Sequence, residues 1–273
     1  GKYSKNGIPF SAILKPSDEA PLDSEGRIIQ RNYVEKIQNE DKNQPARVTS
    51  SERKSQTESA PLPYSLDTLQ VEANKRYGMS PSDVLAKVQS LYEKKFVSYP
   101  RSDCNYIPTS QHGDAGRILK ALAEYGLEAA SNADASIQSR CFNDGKVSAH
   151  HAIIPTGVPA RGLTENEQKV YDLVARRFIA AFYPDCEVAT TTVLGQVGKV
   201  AFKTSGKEIL KPGWRVVFGS EELKEEDNKS SDENRVLPTF TPGETGPHQP
   251  ILKETWTTPP KPYTEATLLR AME

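Results

Sequence analysis

The chain has 273 residues, of which 36% are hydrophobic, 17 are glycine and 20 are proline, a balance that suits two modest cores with extended connections rather than one dense globule. No apolar run approaches the roughly 20 residues that cross a bilayer, and the first residues carry no signal-peptide pattern, so a soluble, cytoplasmic protein is expected. The net charge of −1 excludes a strongly basic body, yet residues 221–233 hold seven acids and two lysines, a net of −5, which leaves +4 elsewhere and keeps a DNA partner open.

Residues 1–64 read as strands and loops. Ile8–Leu14 is a short apolar run with rough alternation, Asp23–Arg27 has the chemistry of a polar turn, and residues 31–39 suit a short helix. Val48–Thr57 is polar and β-compatible up to the breaker Pro61-Leu62-Pro63. After Pro63 the apolar period lengthens. Ser65 caps a helix in which Leu66, Leu69, Ala73 and Tyr77 recur near a 3.6 spacing, and Gly78 ends it. Ser80-Pro81-Ser82-Asp83 opens a second helix whose inward stripe is Val84, Val88, Leu91 and Tyr92, and whose negative end suits Lys94 and Lys95. Two helices across a tight glycine turn resemble a helix-turn-helix unit, although such pairs are also ordinary packing.

That second helix leads into Val97-Ser98-Tyr99-Pro100-Arg101-Ser102-Asp103-Cys104. Pro100 pushes Tyr99 into an extended conformation, and alternation along an extended chain then sets Tyr99 and Arg101 on one face. A phenol is a weak nucleophile until a neighbouring cation favours its ionised form, and a guanidinium fork suits phosphate oxygens. On these residues alone, the run also reads as a helix stop and a loop.

Thr109 or Ser110 starts a further helix, with Ile118, Leu119 and Leu122 inward and Gly126 as its stop; Ala129–Asp144 reads as a surface loop with helical turns. Ser148–Thr156 carries His150 and His151 beside an apolar run. Thr164-Glu165-Asn166-Glu167 is a capping box opening a helix with Val170, Leu173, Val174, Phe178 and Phe182 inward. Glu187–Thr192 alternates, Gly195–Gly198 turns, and Lys199–Lys203 returns as a hairpin; Gly213–Phe218 and residues 248–257 read as strands. Residues 221–233 are too charged to fold and read as a disordered tip. Pro262–Glu273 has a helix start and no stop, so the chain reads as cut there. Cys104, Cys141 and Cys186, odd in number and widely spaced, predict thiols and no structural zinc. The economical architecture is α+β: a mainly helical domain, 65–185, inserted into a β-rich domain made of 1–64 and 186–258.

Val97–Asp103 resembles the active-site segment of the type IA DNA topoisomerases, and its Tyr-Pro-Arg-Ser-Asp-Cys wording is nearest the bacterial topoisomerase III branch. Ala149, His150, Ala152, Ile153 and Pro155 match that family's Ala-His-x-Ala-Ile-x-Pro pattern, while His151 fills the variable slot and takes no role. Pro259–Leu269 resembles the segment where the family's β arch returns to its DNA-gripping domain. The resemblance implies that 1–64 and 186–258 form the arch (domain II), that 65–185 is the CAP-like domain III carrying the nucleophile, and that 259–273 begins the return to domain IV. It further implies that Tyr99 attacks single-stranded DNA to give a 5′-phosphotyrosine without ATP, that Arg101 stabilises the phosphoryl charge, and that His150 positions the strand. Gln89, Glu93, Ser98 and Asp103 stand nearby as candidate DNA contacts.

The sequence departs from the family in one respect: no Asp-x-Asp-x-Glu cluster occurs. No cofactor or metal is therefore expected here, and Mg²⁺ would enter the intact enzyme through a Toprim domain outside this chain. The expected partners are single-stranded DNA, duplexes and catenanes, acted on by a monomeric intact enzyme; the chain alone is expected not to relax DNA. The rival reading is a non-catalytic DNA-binding module with a helix-turn-helix unit, in which Tyr99 is a stacking platform.

Overall fold

The computed structural model describes residues 1–219 and 236–272, and these divide into two compact units, each assembled from separate stretches of chain. The class is α+β, as the sequence predicts. Residues 221–233, expected to be a disordered tip, lie outside the described residues.

The first unit comprises Gly1–Thr57, Glu187–Lys211 and residues 236–259. Strands β1 (Lys2–Lys5) and β2 (Ile8–Ser11) form an antiparallel hairpin, whose two-residue turn uses Asn6 and Gly7 at φ 52° and 77°, as a type I′ turn requires. Helix α1 spans Arg31–Asp41. The main sheet runs β3 (Ile13–Lys15), β6 (Val200–Lys211), β5 (Cys186–Val197), β4 (Pro45–Glu58), β7 (Thr245–Pro247) in spatial order. The β5–β6 turn sits at Gly198-Lys199, later than the predicted Gly195–Gly198, so both strands extend further than alternation indicates. Residues 248–257 form no strand; the ladder to β4 is made by β7 just before them. Two small apolar clusters hold the unit, Phe10 with Val193 and Leu237, and Ala12 with Val197 and Phe202.

The second unit comprises Glu58–Cys186, residues 212–219 and residues 260–272. Helix α2 (Leu66–Tyr77) begins in a capping box of Ser65 and Thr68 and ends at Gly78, whose φ of 65° explains the glycine. Helix α3 (Pro81–Glu93) starts with Ser80 as N-cap and proline in its first turn. Helices α4 (Ala115–Tyr125), α5 (Glu165–Ala180) and α6 (Glu265–Met272) complete it, α5 opening in the Thr164/Glu167 capping box. Helix α2 packs on α3, α5 and α6, and α3 packs on α5. Leu69, Val84, Val88, Leu91, Leu122, Val170 and Phe182 are fully buried between them. Tyr77 and Tyr92, predicted inward, are 39% and 40% exposed: each sits at the margin of its stripe, where the phenol reaches water.

The unit boundary falls at Thr57/Glu58, not at 64/65. Glu58 accepts from Trp214 Nε1 through its carbonyl at 2.7 Å and from Arg215 through its carboxylate at 2.8 Å, and Tyr64 bridges Ile153, so 58–64 are tied into the helical body. Gly213–Phe218 is a 3₁₀ turn of that body, not an arch strand. Gly213 has φ 52°, and a Cβ there would lie 2.4 Å from the Pro184 carbonyl; the tight approach lets the Trp214 N–H donate to that oxygen at 3.0 Å. The three cysteines are buried thiols. Among the described residues no helix is long and apolar enough to cross a membrane.

Candidate active site

The site is built where α3 ends. Phe96 N–H donates to Leu91 O at 2.9 Å and Lys95 N–H to Tyr92 O at 2.8 Å, the paired bonds of a Schellman terminus. Its left-handed position is held by Lys95 at φ 64° rather than by a glycine. The chain leaves this stop and at once meets the distant His150 segment. Val97 bridges Pro155, Ser98 N–H donates to Ile154 O at 2.8 Å, and Thr156 N–H donates to Phe96 O at 3.1 Å. The Ser98 hydroxyl completes the lacing: it donates to Ala152 O and accepts from Ile154 N–H, each at 2.9 Å. Ser98, expected as a DNA contact, therefore spends its hydroxyl on the backbone of the other segment.

This lacing delivers Tyr99 against His150. The two rings lie face to face, centroids 4.2 Å apart with 21° between planes. Tyr92 meets the phenol edge-on, at 5.9 Å and 89°. Tyr99 remains 36% exposed, and among the described residues no hydrogen bond engages its hydroxyl. A ring fixed on two sides, with the residue part exposed, is oriented without being enclosed.

The other predicted residues are placed differently. Pro100 and Arg101 form a turn, so the alternation that set Arg101 beside the phenol does not operate; Arg101 is exposed, and no hydrogen bond or ion pair among the described residues holds it. Asp103 accepts from the Ser148 hydroxyl at 3.0 Å, and the same hydroxyl reaches His150 O at 3.4 Å, which ties the carboxylate to the His150 loop. Gln89 donates to Glu93 at 2.9 Å along the outer face of α3, and among the described residues no hydrogen bond joins this pair to Tyr99 or His150.

Two further groups support the site that the sequence marks only as structural, Glu167 in its capping box and Tyr92 in an inward stripe. Glu167 is buried and accepts from Lys94 Nζ at 2.6 Å, Ser90 Oγ at 2.7 Å and Thr164 N–H at 2.8 Å. The lysine ion pair, against the cost of burial and with these hydrogen bonds, holds its carboxyl down at about 2. It thereby clamps the C-terminal turn of α3, just ahead of Tyr99, to the start of α5. Tyr92 is the second; its position one step round the helix from Leu91 was the available signal.

Among the described residues no three His, Cys, Asp or Glu side chains gather as a metal site. Asp103 is the one carboxylate in the tyrosine segment and it is engaged by Ser148, so the donor set here does not fit a magnesium ion.

A family model described as DNA topoisomerase matches residues 9–273. The chain belongs to the DNA topoisomerase family. Within it, the chain sits with the type IA enzymes on the topoisomerase III side. It is 40% identical to DNA topoisomerase 3 of Vibrio cholerae over 98% of this chain and 42% of that protein, and 39% identical to DNA topoisomerase 3 of Salmonella typhimurium over 96% and 41%. The fold matches that of full-length topoisomerase I from Thermotoga maritima with a TM-score of 0.68, at 22% identity, covering 99% of this chain and 42% of that one. This topoisomerase chain thus spans about two-fifths of the length of the curated relatives it matches.

Proposed function

We propose that this chain carries the strand-cleaving tyrosine of a type IA topoisomerase acting on single-stranded DNA. The observation that carries the reading is the face-to-face contact of Tyr99 and His150 at 4.2 Å, made by two segments some fifty positions apart that are sewn together by backbone bonds. Tyr99 oxygen attacks a backbone phosphorus, the bond to the 3′ oxygen breaks, and that oxygen leaves with a proton as a free hydroxyl. The 5′ end stays on Tyr99 as a phosphotyrosine diester until the hydroxyl attacks back. One diester replaces another, so ATP is not consumed.

In this reading His150, stacked beside the phenol, offers its ring nitrogens to a non-bridging phosphate oxygen and orients the strand. Arg101, held by no partner among the described residues, is free to turn its fork onto the same phosphate as charge develops. Asp103 and Ser148 set the His150 loop rather than touch DNA. The sheet unit is the arch and the helical unit the tyrosine domain, with residues 260–272 beginning the return to domain IV. Magnesium enters from parts of the intact enzyme outside this chain, and the intact enzyme works as a cytoplasmic, nucleoid-associated monomer that relaxes and unlinks DNA. Mixed with supercoiled plasmid and Mg²⁺, the chain alone leaves the plasmid supercoiled.

The test uses the full-length protein and an end-labelled single-stranded oligonucleotide. Tyr99→Phe abolishes the covalent protein–DNA adduct while leaving oligonucleotide binding in place. An adduct that persists with phenylalanine at 99 removes the catalytic assignment and leaves the stacking-platform module.

A further inference from the structure

On the helical unit a cleft of about 390 Å³ shares no residue with the Tyr99–His150 pair. Three arginines reach it from three separate places: Arg140 from the loop before Cys141, Arg177 from α5 and Arg270 from α6. Like charges gathered in one cleft repel unless something of opposite sign lies among them.

The protein supplies little of that sign. Arg177 lies over the Tyr64 ring at 4.5 Å and donates to Leu62 O at 3.3 Å, which fixes its plane. Arg140 gives Nε and one Nη to Ala60 O at 3.4 and 3.2 Å, and its other Nη has no partner among the described residues. Arg270 is exposed, with no hydrogen bond or ion pair among the described residues. The acid on the wall, Glu72, is already bound by Arg76. The wall beside the arginines is formed by Pro61 and Leu62, with Thr68 and Asn105 as polar neighbours; the Tyr64 ring itself is buried beneath Arg177.

We propose that this cleft is a second nucleic-acid site, in which the three guanidiniums take a phosphate of a single strand while its sugar lies against Pro61 and Leu62. Forked donors match phosphate oxygens, and a cationic groove that follows the backbone holds single strands without regard to sequence. The inference deepens the reading of the chain as a DNA enzyme and rests on it. Two of the arginines pin the 60–62 linker through its carbonyls, a structural duty that needs neither Arg270 nor the unused nitrogen of Arg140.

The experiment is fluorescence anisotropy of a labelled oligothymidylate of about 12 nucleotides, titrated with this chain over a range of salt. Arg270→Ala, which loses no contact within the protein, weakens binding about fivefold to tenfold and lowers the logarithmic salt slope by about 0.7, the share of one phosphate contact on a single strand. Arg140→Lys keeps the charge but not the fork and weakens binding less. The same slope change appears in a His150→Ala background, since the cleft does not use that residue. Unchanged affinity and slope in both arginine variants, with unaltered circular dichroism, overturns the proposal, as does failure of the unsubstituted chain to bind the oligonucleotide. Inorganic phosphate that displaces nothing from the oligonucleotide yet shifts the Arg140 and Arg270 Nε resonances marks a small-anion site and also overturns it. The two readings part cleanly: an adduct surviving Tyr99→Phe sinks the transesterase and leaves the cleft, whereas silent arginine variants sink the cleft and leave the transesterase.

Discussion

The helical unit and the sheet unit bury their apolar surface in different ways. In the helical unit, stripes from α2, α3 and α5 close on one another, and Leu69, Val84, Val88, Leu91 and Phe182 lose all contact with water. The rings of Phe178 and Phe142 lie 5.0 and 5.9 Å from that of Phe182. The sheet unit has two small clusters instead, and its rings at Tyr3, Phe10, Phe202 and Phe240 border an open cleft of about 240 Å³. Helices stiffened by caps and a shared core hold the Tyr99 ring to the tolerance of fractions of an ångström that the proposed nucleophile needs. A long antiparallel ladder with shallow clusters resists stretching through its hydrogen bonds and needs no such tolerance.

The largest expected effect tests that contrast directly. Phe182→Ala removes a ring packed on every side and costs about 3–5 kcal/mol, whereas Phe202→Ala, whose ring already faces a void, costs on the order of 2 kcal/mol. Urea titration followed by peptide-resolved hydrogen exchange separates the two units, and equal losses would break the comparison.

Ser98→Ala comes next. It leaves the Ile154 N–H and the Ala152 carbonyl without the hydroxyl that served both, at about 1–3 kcal/mol. In the full-length protein it lowers the cleavage rate at saturating oligonucleotide about tenfold with affinity little changed. A fall in affinity with an unchanged rate would instead return Ser98 to the list of DNA contacts.

Acid sharpens the comparison further. The folded Glu167 carboxyl titrates at about 2 against an ordinary 4.5, so the unfolded chain binds that proton more tightly. The stabilisation is complete above about 4.5 and is lost as pH falls towards 2. Helical-unit protection therefore declines over that window, and Glu167→Gln flattens the decline while the sheet unit is unaffected. The smallest effect is at Lys95: with φ at 64°, Lys95→Gly relieves a left-handed side chain and stabilises the helical unit by about 1 kcal/mol, read as a small rise in melting temperature.

Local chemistry made much of the helical unit legible. Ser65, Ser80 and Thr164 cap where hydroxyls before an apolar period should, and Gly78 and Gly126 close their helices in the left-handed region. What was not legible depends on contacts distant in sequence. Trp214, Val216, Val217 and Phe218 have strand composition, but the close approach of Gly213 to Pro184 winds them into a 3₁₀ turn. Pro100 restricts Tyr99 as expected, yet the turn it begins carries Arg101 off the alternation. Family wording named Tyr99 and His150, but no local pattern announced that the Ser98 hydroxyl joins their segments, because its partners lie 54 and 56 positions away.

That seam has a mechanical corollary. The transesterase proposed above, in letting one strand through the break in another, has to swing some part of itself aside and then re-form the broken diester without searching for its own groups. With Phe96, Val97 and Ser98 stitched to Ala152, Ile154, Pro155 and Thr156, phenol and imidazole travel as a single carriage. Any hinge has to lie outside that stitched block, and in the proposed reaction a 5′ end tethered to Tyr99 would return with its resealing geometry already in register.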